Sequence, residues 1–152
     1  MSLKDDIQAK GFHSEQEKSF VNLISTAALF EANFNKFIKP FGLSSQQYNV
    51  LRILRGQFPN SMSSGDLHSR MIHKMSNASR LVDKLVEKGY VIRVVNANDK
   101  RNILVSITDL GLRLVTDLDK EVAAFQKTSI DLPSAKLKDL NLILDELRSS
   151  LC

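Results

Sequence analysis

The side chains best suited to binding chemistry fall on one arc of a helix that the sequence predicts from about residue 74 to residue 88. The N-terminal half of this arc is neutral or basic, and its hydroxyl, amide and guanidinium groups can bond to phosphate oxygens and base edges. The arc comprises His73, Ser76, Asn77, Arg80, Asp83, Lys84 and Glu87. These residue types at this spacing favour a polyanionic partner.

Local patterns predict the helices that would position this arc. The opposite face carries apolar residues at helical spacing, namely Ala78, Leu81, Val82 and Leu85. Gly89 is expected to end the helix, because glycine adopts the left-handed closing conformation without a Cβ clash. A shorter helix is predicted from about Gly65 to Met71, capped by Ser63 or Ser64.

A two-stranded hairpin is predicted to follow. Tyr90–Val95 is rich in β-branched residues, and Asn96–Asn102 is a polar turn with a basic tip. The inward face of the return strand would be Ile103, Val105 and Ile107. Helix, turn, helix and hairpin in this order form the outline of a winged helix, which suggests DNA binding.

The positive charge of the chain is concentrated in this region. Residues 62–102 contain eight basic and four acidic side chains, and eight minus four equals the formal net charge of +4 for all 152 residues. The basic residues are Arg70, Lys74, Arg80, Lys84, Lys88, Arg93, Lys100 and Arg101. A localised basic surface is typical of a face that binds a polyanion.

The run from Ser79 to Gly111 resembles the core of the MarR family of transcriptional regulators. The matching residues are Ser79-Arg80-Leu81-Val82-Asp83, Leu85, Lys88 and Gly89, then Asp99 and Arg101 in the wing, then Ile107-Thr108 and Gly111. The chain departs from the family pattern at Met71–Met75, where the family has a small or acidic helix cap. The resemblance implies a dimeric, sequence-specific DNA-binding regulator, usually a repressor, with a small-molecule effector such as an aromatic acid.

The residues and the resemblance together indicate candidate contact residues. The candidate DNA-binding residues are Ser64, Lys74, Ser76, Asn77, Ser79, Arg80, Lys84, Lys100, Arg101 and Asn102. By resemblance, Asp99 would pair with nearby basic residues and hold the wing so that Arg101 reaches the minor groove. The predicted DNA is a double-stranded, pseudo-palindromic operator, because a two-fold dimer requires two related half-sites.

Helices are predicted on both sides of the winged helix. A long helix should run from Ser14, with Glu17 at the capping-box position, to Lys39, and a second from Ser44, with Gln47 in its capping box, to about Gln57. The first helix has an apolar stripe at steps of three and four: Phe20, Leu23, Ala27, Phe30, Phe34, Phe37, continued by Phe41. The inward set of the second helix would be Tyr48, Leu51, Leu54 and Phe58, with Arg52 and Arg55 solvated.

The phenylalanine stripe favours a hydrophobic core, and part of it could line a pocket for an apolar effector. The candidate pocket residues are Phe34, Phe37, Phe41, Tyr48 and Arg52.

Two helices are predicted after the hairpin. Thr108 would cap the first, in which Leu114, Leu118, Val122 and Phe125 recur at helical spacing, and residues 128–133 would end it. The last helix, from Ser134, has a seam of the coiled-coil kind: Leu137, Leu140, Leu144, Leu147 and Leu151. Such a seam needs a partner, so we expect a homodimer. The predicted fold is therefore mainly α with a small β-hairpin wing, a winged helix-turn-helix (about 44–107) between helical dimerisation regions (about 1–40 and 109–152) in one domain.

Enzymatic and metal-binding functions find little support in the sequence. The three histidines, His13, His68 and His73, have neither triad-like nor metal-ligand spacing, and the six glycines form no phosphate loop. We expect no enzyme and no cofactor. The longest apolar run is far short of the roughly 20 residues that cross a bilayer, no signal peptide is visible, and Cys152 alone can form no intrachain disulfide, so a cytoplasmic protein without membrane contact is expected.

A second class of function stays open. A winged helix can serve as a protein-interaction module without specific DNA binding, in which case the basic face is incidental. Cys152 could in principle be a redox sensor, although a reactive thiol needs a stabilised thiolate and an inert thiol is favoured.

Overall fold

The computed structural model describes residues 11–96 and 103–151. Within these ranges six α-helices, one 3-10 helix and three strands follow one another. The elements are α1 (Glu15–Ile38), a 3-10 turn (Lys39–Phe41), α2 (Ser45–Gln57), β1 (Met62–Ser63), α3 (Ser64–Arg70), α4 (Ala78–Glu87), β2 (Val91–Val95), β3 (Ile103–Ile107), α5 (Asp109–Ser129) and α6 (Ser134–Ser149). The predicted fold class, mainly α with a small β-hairpin wing, is confirmed.

Helix α1 begins as predicted but with a different cap. The Ser14 side chain accepts a hydrogen bond from the Glu17 backbone N–H, as a helix cap does. The Glu17 carboxylate does not complete the predicted capping box, because it accepts instead from the backbone N–H of His13 at 2.6 Å. That hydrogen bond, with the His13 ring beside it, holds the pKa of Glu17 below its usual range.

The α1–α2 connection and the cap of α2 follow the prediction. Pro40 lies in the 3-10 turn, and Gly42 takes the left-handed conformation at φ +73°. Ser44 and Gln47 form the reciprocal capping box, so two otherwise free N–H groups are satisfied by local side chains.

The inward face of α2 is confirmed for three of its four residues. Tyr48, Leu51 and Leu54 are buried. Phe58 does not join them as predicted, since α2 ends at Gln57 and the extended backbone of Phe58 leaves its side chain exposed. Arg55, predicted to be solvated, is half-buried, with Nη1 3.5 Å from the carbonyl oxygen of Val115.

The sheet has one more strand than the sequence indicated. Its order is β1-β3-β2 and all pairs are antiparallel, with Met62 opposite Val105 and Arg93 opposite Val105 on the other side. The two-residue β1 was not predicted because so short a segment carries no alternation. Val105 and Ile107 are buried as predicted, but Ile103, which pairs with Val95 at the end of the described hairpin, is exposed.

Helix α4 starts later than predicted. The expected start was near Lys74, whereas the helix begins at Ala78 and Asn77 is its cap, its side-chain oxygen accepting from the Arg80 N–H at 3.1 Å. Lys74, Ser76 and Asn77 therefore precede the helix. The Asn77 side chain satisfies a free N–H of the first turn of the helix that begins at Ala78. A helix that began four residues earlier without a cap would leave such an N–H unsatisfied.

A compact junction joins the end of α4 to the start of α5. Gly89 has φ +75°, as predicted for the residue that ends the helix. The Thr108 hydroxyl donates to the Gly89 carbonyl at 2.7 Å and accepts from the Gly111 N–H at 3.1 Å. A Cβ on Gly111 would lie 2.3 Å from the Tyr90 carbonyl oxygen, so only glycine allows this approach.

The chain forms two compact units, which divide between Leu118 and Asp119. The core of the first unit lies among α2, α3, α4 and the sheet, and its fully buried side chains include Leu51, Leu54, Leu67, Leu85 and Val105. In the second unit, α6 leaves most of its leucine seam exposed; Leu137 and Leu144 are half-buried. Across the ranges that the structure describes, no helix is both long and apolar enough to cross a membrane.

Candidate nucleic-acid interface

The loop before α4, residues 71–77, is held from several sides. Met71 is buried, and the backbone N–H of Ile72 donates to Asn49 Oδ1 on α2 at 3.1 Å. The His68 ring on α3 lies 2.6 Å from the Lys74 carbonyl oxygen, which accepts its hydrogen. These bonds come from separate helices, so they fix the path of the chain into α4.

The same loop also touches α1. The Nε2 atom of His73 lies 3.4 Å from Glu31 Oε1, and both side chains are partly exposed. This contact joins the long N-terminal helix to the segment that leads into α4. Local patterns could not predict it, because the two residues lie far apart in the sequence and meet only in the folded chain.

A polar depression of about 310 Å³ lies at the start of α4. It is lined by Asn77, Arg80, Leu81 and Lys84, and by Gln46 from the first turn of α2. Neither Arg80 nor Lys84 forms an ion pair with any residue in the described ranges. The structure thus brings two predicted cations and one predicted amide together.

Gln46 is the residue here that sequence reasoning missed. It follows the Ser44 cap by two positions, on α2, and lies beside the candidate residues of α4. The capping box fixed its place in the first turn of α2 but could not show which helix would face that turn.

Arg93 is half-buried, and its guanidinium is paired within the winged helix. Its Nη1 lies 2.6 Å from Asp83 Oδ1, and its Nη2 donates to the carbonyl and the hydroxyl oxygens of Ser79 at 3.1 and 3.0 Å. The guanidinium therefore ties β2 to one side of α4. Asp83 balances the charge of Arg93, so Arg93 is not one of the free cations of the region.

Two other cations of the region have contacts within the protein. The Lys88 ammonium donates to the Gly42 carbonyl, and Arg70 Nη1 donates to Gln57 Oε1 at 3.4 Å. Lys74, Arg80 and Lys84 remain as exposed cations without a side-chain partner among the described residues. The basic surface is therefore narrower than the sequence count indicated and is centred on the start of α4.

The remaining candidate residues fall into two groups. Ser64 and Ser79 line a second depression of about 280 Å³ with Arg93, and the Ser64 hydroxyl donates to the Ile103 carbonyl at 3.3 Å. Ser76 precedes α4, its N–H bonded to the His73 carbonyl. The predicted wing-tip residues Asp99, Lys100, Arg101 and Asn102 lie outside the described residues.

Comparisons with known proteins agree on one family. A family model described as "MarR family" matches residues 41–102. The Hpr HTH-type transcriptional regulator of Bacillus mycoides is 31% identical over 99 residues, which cover 60% of this chain and 50% of that protein. The crystal structure of a MarR transcription factor from Planctomyces limnophilus superposes with a TM-score of 0.70 at 29% identity, covering 90% of this chain and 99% of the other. In sequence and in fold, the chain resembles the MarR family.

The matches to this family differ in how much of each protein they cover. This chain spans about half the length of the curated relatives it matches, and those relatives are transcriptional regulators. The crystal structure of the Staphylococcus aureus MepR–DNA complex is similar in fold, with a TM-score of 0.75 at 19% identity, covering 88% of this chain and 96% of that one. The family resemblance predicted from residues 79–111 is confirmed.

Four aromatic residues form a connected cluster between α1 and α2. The ring centroid of Phe34 lies 5.9 Å from that of Phe37 and 5.6 Å from that of Tyr48, and the Phe37 centroid lies 5.8 Å from that of Phe41. Arg52 is exposed one turn after Tyr48 on α2. All five candidate effector residues thus lie on two neighbouring elements and their connection.

The N-terminal part of the phenylalanine stripe is exposed among the residues that the structure describes. Phe20, Leu23 and Phe30 are exposed, whereas Phe34 and Phe37 are half-buried. Only the end of the stripe at Phe34 and Phe37 is therefore partly buried, as expected of core residues. In the part of the chain that the structure describes, no group of three or more His, Cys, Asp or Glu residues could hold a metal ion.

Proposed function

We propose that this protein is a dimeric, sequence-specific DNA-binding transcriptional regulator, a repressor that a small-molecule effector releases from its operator. One observation carries the proposal: the exposed cations Lys74, Arg80 and Lys84 lie before and along α4, and Arg80 and Lys84 line one depression with the amides of Asn77 and Gln46. Cations bind phosphates, and amides and guanidinium groups recognise base edges, so this surface combines both requirements of a specific DNA interface.

The recognition helix in this proposal is α4. Its apolar face is buried through Val82 and Leu85, and the Arg93–Asp83 ion pair ties it to β2. The N-terminal end, with Ser76, Asn77 and Arg80, would enter the major groove, as the recognition helix of a helix-turn-helix does. Lys100, Arg101 and Asn102 of the wing would contact the flanking backbone and minor groove, with Asp99 supporting Arg101.

A second copy of the chain is the proposed partner of the exposed apolar faces. On α1 these are Phe20, Leu23, Ile24, Leu29 and Phe30, and on α6 they include Leu140, Leu142, Ile143 and Leu147. Water contact with so many large apolar side chains on two helices is unfavourable, and burial between two copies would relieve it. A two-fold dimer would place its two α4 helices in half-sites about one helical turn apart.

The effector would bind at the aromatic cluster of Phe34, Phe37, Phe41 and Tyr48. An aromatic ring packs well among such side chains in offset or tilted contact, and the exposed guanidinium of Arg52 offers a partner for a carboxylate. Aromatic carboxylates are therefore the proposed class of effector.

The alternative function is a protein-interaction module without specific DNA binding. It would require the cations at the start of α4 to have no phosphate partner. The two functions differ in the salt dependence of DNA affinity, because neutralised phosphates release counterions.

The test begins with selection of bound duplexes from a random pool by the purified protein. We expect one enriched pseudo-palindrome, and an affinity for it that falls steeply with salt concentration. Arg101→Ala should reduce the log–log salt slope by about one per lost phosphate contact, whereas Lys138→Ala on exposed α6 should leave it unchanged. A flat salt dependence without an enriched sequence would favour the interaction module. Addition of aromatic carboxylates to the same binding assay tests for the effector.

A further inference from the structure

The loop that leads into α4 exposes two large apolar side chains. Met75 is 100% exposed and Ile72 is 76% exposed, on either side of His73 and Lys74. A single apolar residue at a protein surface requires no explanation. The exposure of Met75 does require an explanation, because Met75 lies two residues before the Asn77 cap, next to the cations of the proposed DNA-binding surface.

The side chain of Met75 is exposed, but the backbone around it is held in place. Buried Met71, the bond from Ile72 N–H to Asn49 and the bond from the His68 ring to the Lys74 carbonyl hold the chain before it. After it, Ser76 N–H bonds to the His73 carbonyl. The backbone that carries Met75 is therefore fixed on both sides, and a fixed backbone reduces the entropy lost when the side chain meets a ligand.

Only one group in the major groove suits such a side chain. The edges of the base pairs present hydrogen-bond donors and acceptors, and the one apolar group among them is the C5-methyl of thymine. Methionine has three rotatable bonds and a polarisable sulfur, so it can adapt its contact to a small methyl group. We propose that Met75 recognises a thymine C5-methyl in each operator half-site. This inference rests on the proposed DNA binding by α4.

Ile72 is the rival residue for the same contact. Its side chain is β-branched and stiff, and it follows directly on buried Met71, five positions before the Asn77 cap. Met75 is closer to the start of α4 and has the longer, more flexible side chain. The two residues therefore provide a proposed contact and a matched exposed apolar control.

The experiment uses the selected operator duplex with each thymine replaced in turn by deoxyuridine, which lacks only the C5-methyl. For the wild-type protein we expect one position per half-site at which the replacement weakens binding about fourfold. That factor corresponds to about 0.8 kcal/mol, the value for one buried methylene-sized group. Met75→Gln, similar in length but polar, should bind thymine and deoxyuridine equally at that position, and Met75→Leu should retain the discrimination.

Ile72→Gln serves as the control and should discriminate as the wild type does. The inference is overturned if no thymine in the operator is sensitive to loss of its methyl, or if Met75→Gln keeps the sensitivity. Loss of the sensitivity in Ile72→Gln alone would assign the contact to Ile72. An operator that is bound specifically but without methyl sensitivity would leave the proposed function intact, whereas the absence of any selected sequence would overturn both.

Discussion

Arg80 has a different place from the one its sequence context suggested. The pattern indicated a position nearly two turns into a helix starting near Lys74, but Arg80 is the third residue of α4, and its N–H is bonded to the Asn77 cap. Its side chain is exposed beside the depression that Asn77 and Gln46 line. Arg80 is therefore nearer the helix end that the proposed docking brings to the bases.

We predict that Arg80→Lys loses discrimination at one base pair in each half-site. A guanidinium can bind guanine through two parallel hydrogen bonds, which an ammonium cannot reproduce, and such a pair contributes about 1–3 kcal/mol of discrimination. The measurement is the affinity for a panel of single-base operator variants. Lys84→Arg, one turn along on the same face, keeps its charge and should keep the preference profile. A profile of Arg80→Lys that matches the wild type would assign Arg80 to phosphate contact instead.

At the level of elements, local sequence predicted the caps and failed where distant residues act. Ser44, Ser63 and Gly89 end or begin helices as expected, because a cap needs only residues within a few positions. The start of α4 was misplaced because bonds from Asn49 and His68 hold the preceding loop out of the helix. Apolar spacing alone carries no signal of such tertiary contacts.

The candidate site shows the same division between local and distant contacts. Arg80 and Lys84 could be placed on a common face by helical spacing, and the structure puts both beside one depression. The roles of Arg93 and Gln46 could not be predicted, since one depends on how β2 meets α4 and the other on how α2 meets α4. Charge counted along a sequence does not distinguish a free cation from one paired across the fold.

We predict that Gly111→Ala destabilises the winged helix. The added Cβ would lie 2.3 Å from the Tyr90 carbonyl oxygen and 2.9 Å from Ile107 Cγ1, and the backbone oxygen cannot easily move. Overpacking of this kind costs about 1–3 kcal/mol. The free energy of unfolding, from urea denaturation followed by circular dichroism, measures it.

Gly56→Ala is the matched control for this change. Gly56 lies in α2 with no atom near the position of an added Cβ, so alanine should stabilise the helix by up to about 1 kcal/mol. Equal stability of Gly111→Ala and the wild type would contradict the close approach at the α4–α5 junction.

At the scale of the whole molecule, the apolar surface is larger than the predicted seam. Leu142 and Ile143 of α6 do not belong to the leucine seam, yet they are 62% and 53% exposed. The seam was predicted from spacing alone, which selects one face of a helix. Ile143 flanks the seam and Leu142 lies away from it, so the exposed apolar surface of α6 is wider than a single line of leucines.

We predict a homodimer that depends on α6. Deletion of residues 134–152 should give monomers or aggregates, because it removes part of the apolar surface that the partner would cover and exposes the rest. Sedimentation analysis of the intact and shortened chains measures the mass. Lys138→Glu serves as a control, because it changes the charge of α6 without removing an apolar side chain. An intact chain that sediments as a soluble, well-folded monomer would refute the dimer.

The strength of the contact between His73 and Glu31 limits how strongly a ligand bound near α1 can affect the loop before α4. Glu31 lies one turn from Phe34 on α1, so a ligand that displaces the Phe34 ring can also shift Glu31 and, through it, the loop that carries Met75. Linkage is reciprocal: DNA that fixes the loop would change ligand affinity by the same factor. A partly exposed pair of this kind contributes about 0–1 kcal/mol, which permits at most about a fivefold effect. Regulation stronger than fivefold would therefore need further contacts with this loop, such as the bond between Asn49 and Ile72.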